Sequence, residues 1–370
     1  MKEDSTMTDE KNILLPSPII DAKEDDSIKK LCERYEKLIT PGMLAKAGKK
    51  VVEVIPKPIK NVGKKAKDAI TEQELYAQCM KVAVEGFEIL EKQAAKLTVS
   101  ENTIVKKINE VSKDVDITSI DEVCLARSYD ISKLVNKYKT QDLGLALVEG
   151  GATGYFGFAG LPFNLALSTF LYYRAVQSVA MYYGYDIKND PAELVIASDV
   201  FMNALSPNSQ GTNEVTGIIG KIMIMTEITA VKQLSKKTWE EMAKHGGVAL
   251  LICQMRALAN KVAQKALEKA GQKGLEESLF KGVFEQIGKS LSKKVLGKAV
   301  PVAGAVIGAL FDTAQMNTVL EYADVFYNKR YLLEKEVRIN TLLGVSSPIQ
   351  SVVIDVPEKD IVSVEDGETL

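Results

Sequence analysis

The sequence is poor in the residues that most often carry chemistry. It has one histidine, His245, and four cysteines, Cys32, Cys79, Cys124 and Cys253, none of which lies in a CxxC motif. A single histidine excludes HExxH and Cys₂His₂ metal sites. We therefore expect no metal, and we expect the cysteines to be free thiols, buried among apolar helical neighbours in a reducing compartment.

Recognisable catalytic and cofactor motifs are missing as well. There is no GxSxG motif, and a Ser–His–Asp triad would depend on His245. The paired carboxylates Glu276 and Glu277 lie in a lysine-rich run, and we interpret them as surface residues. The sequence therefore favours a protein without enzymatic activity and without a cofactor.

Strong charge of either sign and aromatic side chains are also scarce. The net charge is −2 and aromatic residues make up 6% of the chain. These values give no overall attraction to nucleic acid and no stacking platform for single strands. We expect no nucleic-acid partner.

Both ends of the chain are acidic and polar. Residues 1–27 carry eight acidic residues against three lysines, and we predict a disordered acidic arm there. Residues 346–370 form a similar acidic tail, in which Ile349–Val356 could add a strand or bind in a groove. The first residues lack the basic and apolar regions of a signal peptide, so we expect a cytoplasmic protein.

Between these ends, residues 28–345 are predicted to form one helical domain. Apolar residues recur at helical spacing, and we find no alternating strand pattern outside the tail. Gly184 follows a long apolar helix at the position of a left-handed C-terminal cap. Asp190 precedes Pro191 and Glu193, which is the pattern of a helix start. The fold class is therefore all-α, a single large bundle-like domain.

Two glycine-rich apolar segments are predicted to lie at the centre of this bundle. The first includes 24 residues without a charge, from Gly150 to Tyr173, and the second is Ala299–Phe311. Each contains a GxxxG pair, a spacing that lets helix backbones approach closely. We predict that the segments pack together through these glycines: Gly150, Gly154, Gly304 and Gly308.

Two other interpretations of the first segment are weaker. Its glycines are not followed by the GK[ST] of a phosphate-binding loop, and no strand precedes them. Its length would suffice to cross a bilayer, but Gly157–Pro162 predicts a turn that interrupts the helix. We favour a buried helical hairpin, and a re-entrant hairpin that touches lipid remains the alternative.

A lysine-rich stretch lies between residues 43 and 70. It carries eight lysines, and Glu53 is its only acidic residue before Asp68. Apolar residues are threaded between the lysines, which is typical of segments that lie on anionic membranes. The alternative is a solvated face of a helix that packs on the core. The candidate membrane-surface residues are Lys46, Lys49, Lys50, Lys57, Lys60 and Lys64.

Arg174 stands alone as a charge on the apolar helix that ends at Gly184. A buried arginine needs a carboxylate partner, and we expect Glu149, Asp186 or Asp199 to supply it. The arrangement is either a structural salt bridge or a buried polar site for a headgroup or small ligand, with Tyr183 nearby.

Three stretches of the sequence together resemble the EcsC protein family. They are IPKPIKNVGKKAKDAI, GGATGYFGFAGLPFNLALSTFLYYRAVQSVAMYYGYD and AVPVAGAVIGALFDTAQMNTVLEYADVFYNKRYL, and the resemblance covers roughly residues 35–335. It implies a bacterial helical protein with an accessory role near a membrane, because the family's name-giving member is encoded beside an ABC transporter. Arg174, Tyr183, Gly184 and Asp186 correspond to the family's arginine and YGxD positions, and no established catalytic role comes with them.

The sequence leads to three hypotheses. The leading one is a non-enzymatic protein that attaches peripherally to an anionic membrane or to a membrane complex of the ABC-transporter type. The second is an enzyme or a small-molecule or lipid binder that uses the polar site around Arg174. The third is a soluble scaffold that binds another protein through its acidic arm or tail. The sequence does not indicate an oligomeric state.

Overall fold

The described part of the chain is built from helices. The computed structural model describes residues 13–39, 72–94, 99–112, 114–142, 161–205, 214–224, 248–295 and 313–345, and these contain no strand. The predicted all-α class is confirmed. The α-helices are α1 (Ala22–Ile39), α2 (Glu72–Glu85), α3 (Phe87–Ala94), α4 (Glu101–Val111), α5 (Ser128–Lys137), α6 (Leu161–Tyr182), α7 (Pro191–Leu205), α8 (Glu214–Ile224), α9 (Val248–Val295) and α10 (Thr313–Leu342).

Helix α1 begins earlier than the sequence pattern predicts. Its first residue is Ala22, and Glu24 is fully buried, so residues 22–27 belong to the folded domain and not to a disordered arm. Asp21 and Glu24 cap the helix reciprocally: Asp21 Oδ1 accepts from Glu24 N at 2.8 Å, and Glu24 Oε2 accepts from Asp21 N at 3.3 Å. The predicted disorder of residues 1–12 and 346–370 falls outside the described residues.

The predicted C-terminal end of α6 and the predicted start of α7 are confirmed. Helix α6 ends at Tyr182, and Gly184 has a φ of 78°, which is the left-handed cap conformation. Asp190 Oδ1 accepts from Ala192 N at 2.9 Å and from Glu193 N at 3.4 Å, so it caps α7. Gly271 interrupts α9 with a φ of 70°.

Helices α1 and α10 are antiparallel. Arg34 Nη2 lies 2.6 Å from Asp324 Oδ2, and Lys335 Nζ lies 2.7 Å from Glu24 Oε1. The later residue of α1 therefore meets the earlier residue of α10. It follows that Ile39 and Thr313 lie at the same end of the bundle.

Helices α6 and α10 run in the same direction. The rings of Tyr183 and Tyr331 are 6.0 Å apart, and Arg338 Nη2 donates to Gly184 O at 2.7 Å. Burial raises the pKa of Tyr327, earlier in α10, well above its usual value, and Tyr173, earlier in α6, lies within electrostatic range and adds to this effect. The start of α6 therefore lies at the same end of the bundle as the start of α10.

The second half of α9 runs antiparallel to α6. Gln272 Nε2 donates to Lys188 O, beyond the end of α6, whereas the rings of Phe280 and Phe170 stack edge to face at 4.7 Å, nearer its start. The end of α9 at Val295 is thus beside the start of α6 at Leu161.

Helices α2 and α3 run antiparallel to the second half of α9. Tyr76 OH donates to Phe284 O at 3.3 Å, and Phe87, later in the chain, packs against Phe280 with ring centroids 6.2 Å apart. The start of α2 at Glu72 therefore joins the end of the bundle that holds Leu161.

The helix directions divide the bundle into two ends. We call one the Leu161 end, and we call the other the Gly184 end, which holds the α6–α7 turn, Gly271 and Gly344. Lys139 Nζ in the π-helical turn Tyr138–Asp142 lies 3.1 Å from Asp324 Oδ2, and the ring of Tyr138 lies 5.6 Å from that of Tyr182 near the end of α6. At the Leu161 end, the described residues Glu72, Leu161 and Val295 border stretches of the chain that lie outside the described ranges.

Candidate functional site: buried charges along α10

Helix α10 carries charged side chains into the core of the bundle. A buried charge is tolerated when it is paired and hydrogen-bonded, because an unpaired ion costs several kcal/mol. The partners of these side chains therefore show which contacts stabilise the fold and which charged groups take part in them. The buried charged residues of α10 are Asp324, Lys329, Arg330, Glu334 and Lys335.

Asp324 receives three donors from three other segments. Arg34 Nη2 donates at 2.6 Å, Lys139 Nζ at 3.1 Å and Tyr183 OH at 2.7 Å. Burial acts to raise the pKa of Asp324, but the charges of Lys139 and Arg34 and the hydrogen bonds from Arg34 and Tyr183 outweigh it and hold that pKa below its usual value. The ionised Asp324 carboxylate thus links α10 to α1, to the turn after α5 and to Tyr183, which follows α6.

Glu24 forms a second junction near the other end of α10. Its carboxylate accepts from Lys335 Nζ at 2.7 Å, from Ser128 N at 2.8 Å and from Arg127 Nη1 at 3.0 Å. Lys335 also donates to Ala126 O at 2.9 Å. The cluster joins α1, the start of α5 and α10.

Glu193 at the start of α7 forms a third junction. Arg330 binds it with two nitrogens, at 2.7 and 2.8 Å, and Arg256 of α9 also pairs with it. Burial acts to raise the pKa of Glu193, but Arg330 and Arg256 outweigh it and hold the pKa below its usual value. Arg330 also bonds Glu334 at 2.8 Å, so the network extends along α10.

The turn after α6 is fixed by Arg338. Its guanidinium donates to Tyr183 O at 2.9 Å and to Gly184 O at 2.7 Å, and its centre lies 4.8 Å from the centroid of the Tyr185 ring. The arginine therefore satisfies carbonyl groups that the end of α6 leaves without intrahelical partners. These YGxD residues thus have a structural role at the C-terminus of α6.

Arg174 forms a cluster of its own between α6 and α9. Its Nη1 lies 2.8 Å from Glu276 Oε1, and it donates to Gln177 Oε1 at 3.1 Å. Burial raises the pKa of Glu276 in spite of the opposing charge of Arg174. Arg174 Nε, Gln177 Nε2 and Glu276 Oε1 are buried without a hydrogen-bond partner in the structure. The cluster differs in this respect from the well-bonded junctions on α10.

The residues of the predicted polar site have different neighbours. Arg174 pairs with Glu276 of α9. Asp186 caps its own turn, accepting from Lys188 N and Asn189 N at 3.0 and 3.1 Å. Asp199 accepts from Thr216 Oγ1 at 3.0 Å, and Tyr183 donates to Asp324. These contacts tie each residue to a different part of the bundle.

Several predicted residues lie outside the described part of the chain, where their roles stay predictions. They are Glu149, the packing glycines Gly150, Gly154, Gly304 and Gly308, and the lysines Lys46, Lys49, Lys50, Lys57, Lys60 and Lys64.

The sequence analysis did not identify the residues that pair with the buried charges. The sequence predicts a surface position for Glu276, but its side chain is only 15% exposed and it faces Arg174, whereas the neighbouring Glu277 pairs with Lys281 at 2.6 Å. A signal was available for Glu24, because Asp21–Glu24 (DAKE) has the spacing of a capping box. No local pattern marks Glu193, Asp324 or Lys335 as members of buried ion pairs.

Two properties of the described residues bear on possible functions. In the ranges given above, no group of three or more His, Cys, Asp or Glu side chains could hold a metal ion. Over the same ranges, no helix combines the length and apolar character needed to cross a membrane.

Comparison with models of protein families gives a match over residues 23–332, which is most of the chain, to the EcsC protein family. The chain belongs to the EcsC protein family. Comparisons with curated proteins and with solved structures return no match. The EcsC match includes Glu24, Arg174, Glu193 and Asp324, while Lys335 lies just beyond its last residue.

Proposed function

We propose that this EcsC protein is a non-enzymatic helical scaffold that attaches peripherally to anionic membranes through its lysine-rich segment, residues 43–67. The observation that carries the proposal is the position of this segment in the chain. It connects α1 to α2, and both helices are held in the bundle by buried contacts. Any attachment by these lysines is therefore transmitted to the whole domain.

The chemistry of the segment suits an anionic bilayer. Its lysines alternate with apolar residues, and each lysine near an anionic surface contributes about 1 kcal/mol to binding. The ion pairs described on α10 join helices to one another and so stabilise the fold. They support the non-enzymatic part of the proposal, because the charged side chains in these pairs already bind one another.

Vesicle flotation tests the proposal. The full chain should float with vesicles that contain phosphatidylglycerol and remain unbound with phosphatidylcholine alone. Changing Lys46, Lys49, Lys57 and Lys60 to Glu should weaken binding by about 4 kcal/mol, roughly a thousand-fold, if each lysine contributes its typical share.

A matched control separates local attachment from net charge. Lys92, Lys188, Lys265 and Lys269 are exposed in the described structure, and changing them to Glu alters the charge of the protein by the same amount. The control variant should float like the unaltered protein, and both variants should keep the helical circular dichroism spectrum. Equal flotation of the two variants would refute the proposal.

The same experiment separates the alternative partner. A protein that attaches to a membrane complex of the ABC-transporter type, and not to lipid, would fail to float with protein-free vesicles of either composition. It would then bind only to vesicles made from native membranes.

A further inference from the structure

In the Arg174 cluster, which consists of Arg174, Gln177 and Glu276, three buried polar atoms have no hydrogen-bond partner in the structure. We propose that this cluster binds the hydroxyl group of a small neutral molecule, such as a polyol. The site lies between α6 and α9, and binding there is independent of membrane attachment by the lysine-rich segment.

The first argument is the proximity of the three side chains. Arg174 Nη1 lies 2.8 Å from Glu276 Oε1 and donates to Gln177 Oε1 at 3.1 Å. The unused Nε belongs to the same guanidinium group, and the unused Nε2 belongs to the same amide group. One ion pair and one hydrogen bond therefore bring two buried N–H donors and a carboxylate oxygen into a single cluster.

The second argument is the match between these atoms and a hydroxyl group. A hydroxyl oxygen accepts two hydrogen bonds, and its hydrogen donates one. Arg174 Nε and Gln177 Nε2 are donors and Glu276 Oε1 is an acceptor, so the cluster offers the complementary set. A buried polar group without a partner costs free energy, and a ligand that bonds to it removes that cost.

The third argument is charge. Arg174 and Glu276 form an ion pair, so together they carry no net charge that would attract an ionic ligand. An ionic group that entered the cluster would lie in the protein interior without a counter-ion, which is costly. The Tyr173 hydroxyl shares a hydrogen bond with Ser198 Oγ at 2.8 Å, and Tyr173 lies within electrostatic range of Arg174 and Glu276. These surroundings favour a neutral polar ligand.

The cluster is also within reach of the surface. The Glu276 side chain is 15% exposed; burial raises its pKa against the charge of Arg174, and Glu91 of α3 adds to the increase. Lys273 joins α9 to α3 there, at 3.3 Å from Glu88 and 3.8 Å from Glu91. Exposed pairs of this kind contribute little to stability, so they oppose the entry of a small solute between α3 and α9 only weakly.

Saturation-transfer NMR on the full chain tests the site. Glycerol and myo-inositol are the neutral hydroxyl probes, and acetate and methylammonium are the charged probes. The unaltered protein should transfer saturation to the neutral probes several-fold more strongly than to either charged probe. Water offers the same hydroxyl chemistry, and a cluster that accepts water alone would give no transfer to any probe.

A matched pair of glutamine variants localises the binding. Gln177→Met removes an unused donor and keeps the length of the side chain. Gln254→Met is the control, because Gln254 is also buried but lies in the first half of α9, before the break at Gly271. The signal of the neutral probes should fall several-fold in Gln177→Met and stay unchanged in Gln254→Met. Circular dichroism shows whether each variant remains helical.

A second pair tests the charge argument and does not depend on the folding of Gln177→Met. Glu276→Gln leaves Arg174 without its carboxylate, so transfer to acetate should rise several-fold relative to the neutral probes. Glu277→Gln is the same change at the next residue, whose carboxylate pairs with Lys281 at 2.6 Å. The control should keep the preference of the unaltered protein.

Three results would overturn the proposal. Absence of transfer to glycerol and myo-inositol would mean that the cluster binds water alone. Equal signals in the Gln177 and Gln254 variants would place any binding elsewhere on the protein. A preference of the unaltered protein for acetate or methylammonium would show that the occupied site carries a net charge. None of these results bears on vesicle flotation, so the two proposals are tested separately.

Discussion

Glu24 and Lys335 form a 2.7 Å ion pair although they are 311 residues apart in the chain and both side chains are fully buried. Such a pair stabilises a fold only while both partners are present, because the surviving charge would lie in the core without compensation. The pair therefore links the stability of α1, at the beginning of the domain, to that of α10, at its end.

The first prediction concerns this dependence. Lys335→Met should lower the free energy of unfolding by about 3–5 kcal/mol, because it leaves the Glu24 carboxylate buried without its closest cation. Urea denaturation followed by circular dichroism measures the effect. The double variant Glu24→Gln, Lys335→Met should lose less than the sum of the single losses. Strict additivity of the two changes would contradict a direct interaction.

The second prediction compares two glycines in the left-handed conformation. Gly184 has a φ of 78°, and a Cβ there would meet Arg338 Nη2 and lie 2.8 Å from Val123 Cβ. Gly184→Ala should cost roughly 3–5 kcal/mol of unfolding free energy, because backbone strain is added to the loss of the Arg338 hydrogen bonds.

Gly344→Ala is the matched control for that prediction. Gly344 has a φ of 64°, and a Cβ at this position would have no neighbouring atom within 4 Å. Its substitution should therefore cost only the backbone strain, roughly 1–2 kcal/mol. Thermal or urea unfolding of the two variants gives the comparison. Similar losses for both glycines would mean that Arg338 does not require a glycine at position 184.

The third prediction concerns acid stability. The pKa of Asp324 is held below its usual value of 3.8 in the folded protein, so folding favours the ionised carboxylate. Its contribution is present above the unfolded pKa and is lost as the pH falls through the folded one. Asp324→Asn should therefore have a lower free energy of unfolding than the unaltered protein at neutral pH. The difference between the two proteins should become smaller as the pH is lowered from about 5 to about 2.

Urea midpoints measured across that pH range test this prediction. The informative quantity is the difference between the variant and the unaltered protein, because Glu193 has a lowered pKa too and contributes to acid unfolding in both. A difference that stays constant with pH would show that Asp324 does not titrate differently in the folded and unfolded states.

Much of the local structure could be predicted from the sequence. The all-α class, the cap at Asp190 and the end of α6 before Gly184 are confirmed. Each of these features depends on residues within one or two helical turns, so the physical signal is complete within a short window. The predicted start of the helical domain, at residue 28, is later than the observed start of α1 at Ala22, because the prediction does not use the capping pattern of Asp21 and Glu24.

The candidate site could be predicted only in part. The sequence indicates that Arg174 needs a carboxylate, but the partner, Glu276, is 102 residues away and lies in a run that is typical of a surface. The roles of the lysine-rich segment and of the glycine pairs fall outside the described residues and stay predictions, as does binding through the acidic ends of the chain.

Helix type and helix ends could be read from the sequence because capping and periodicity act between neighbouring residues. The partners of the buried charges could not, because Asp324, Glu193 and Glu24 are paired by the way distant helices pack. The same packing decided the directions of the helices, since the direction of a helix depends on contacts across the core.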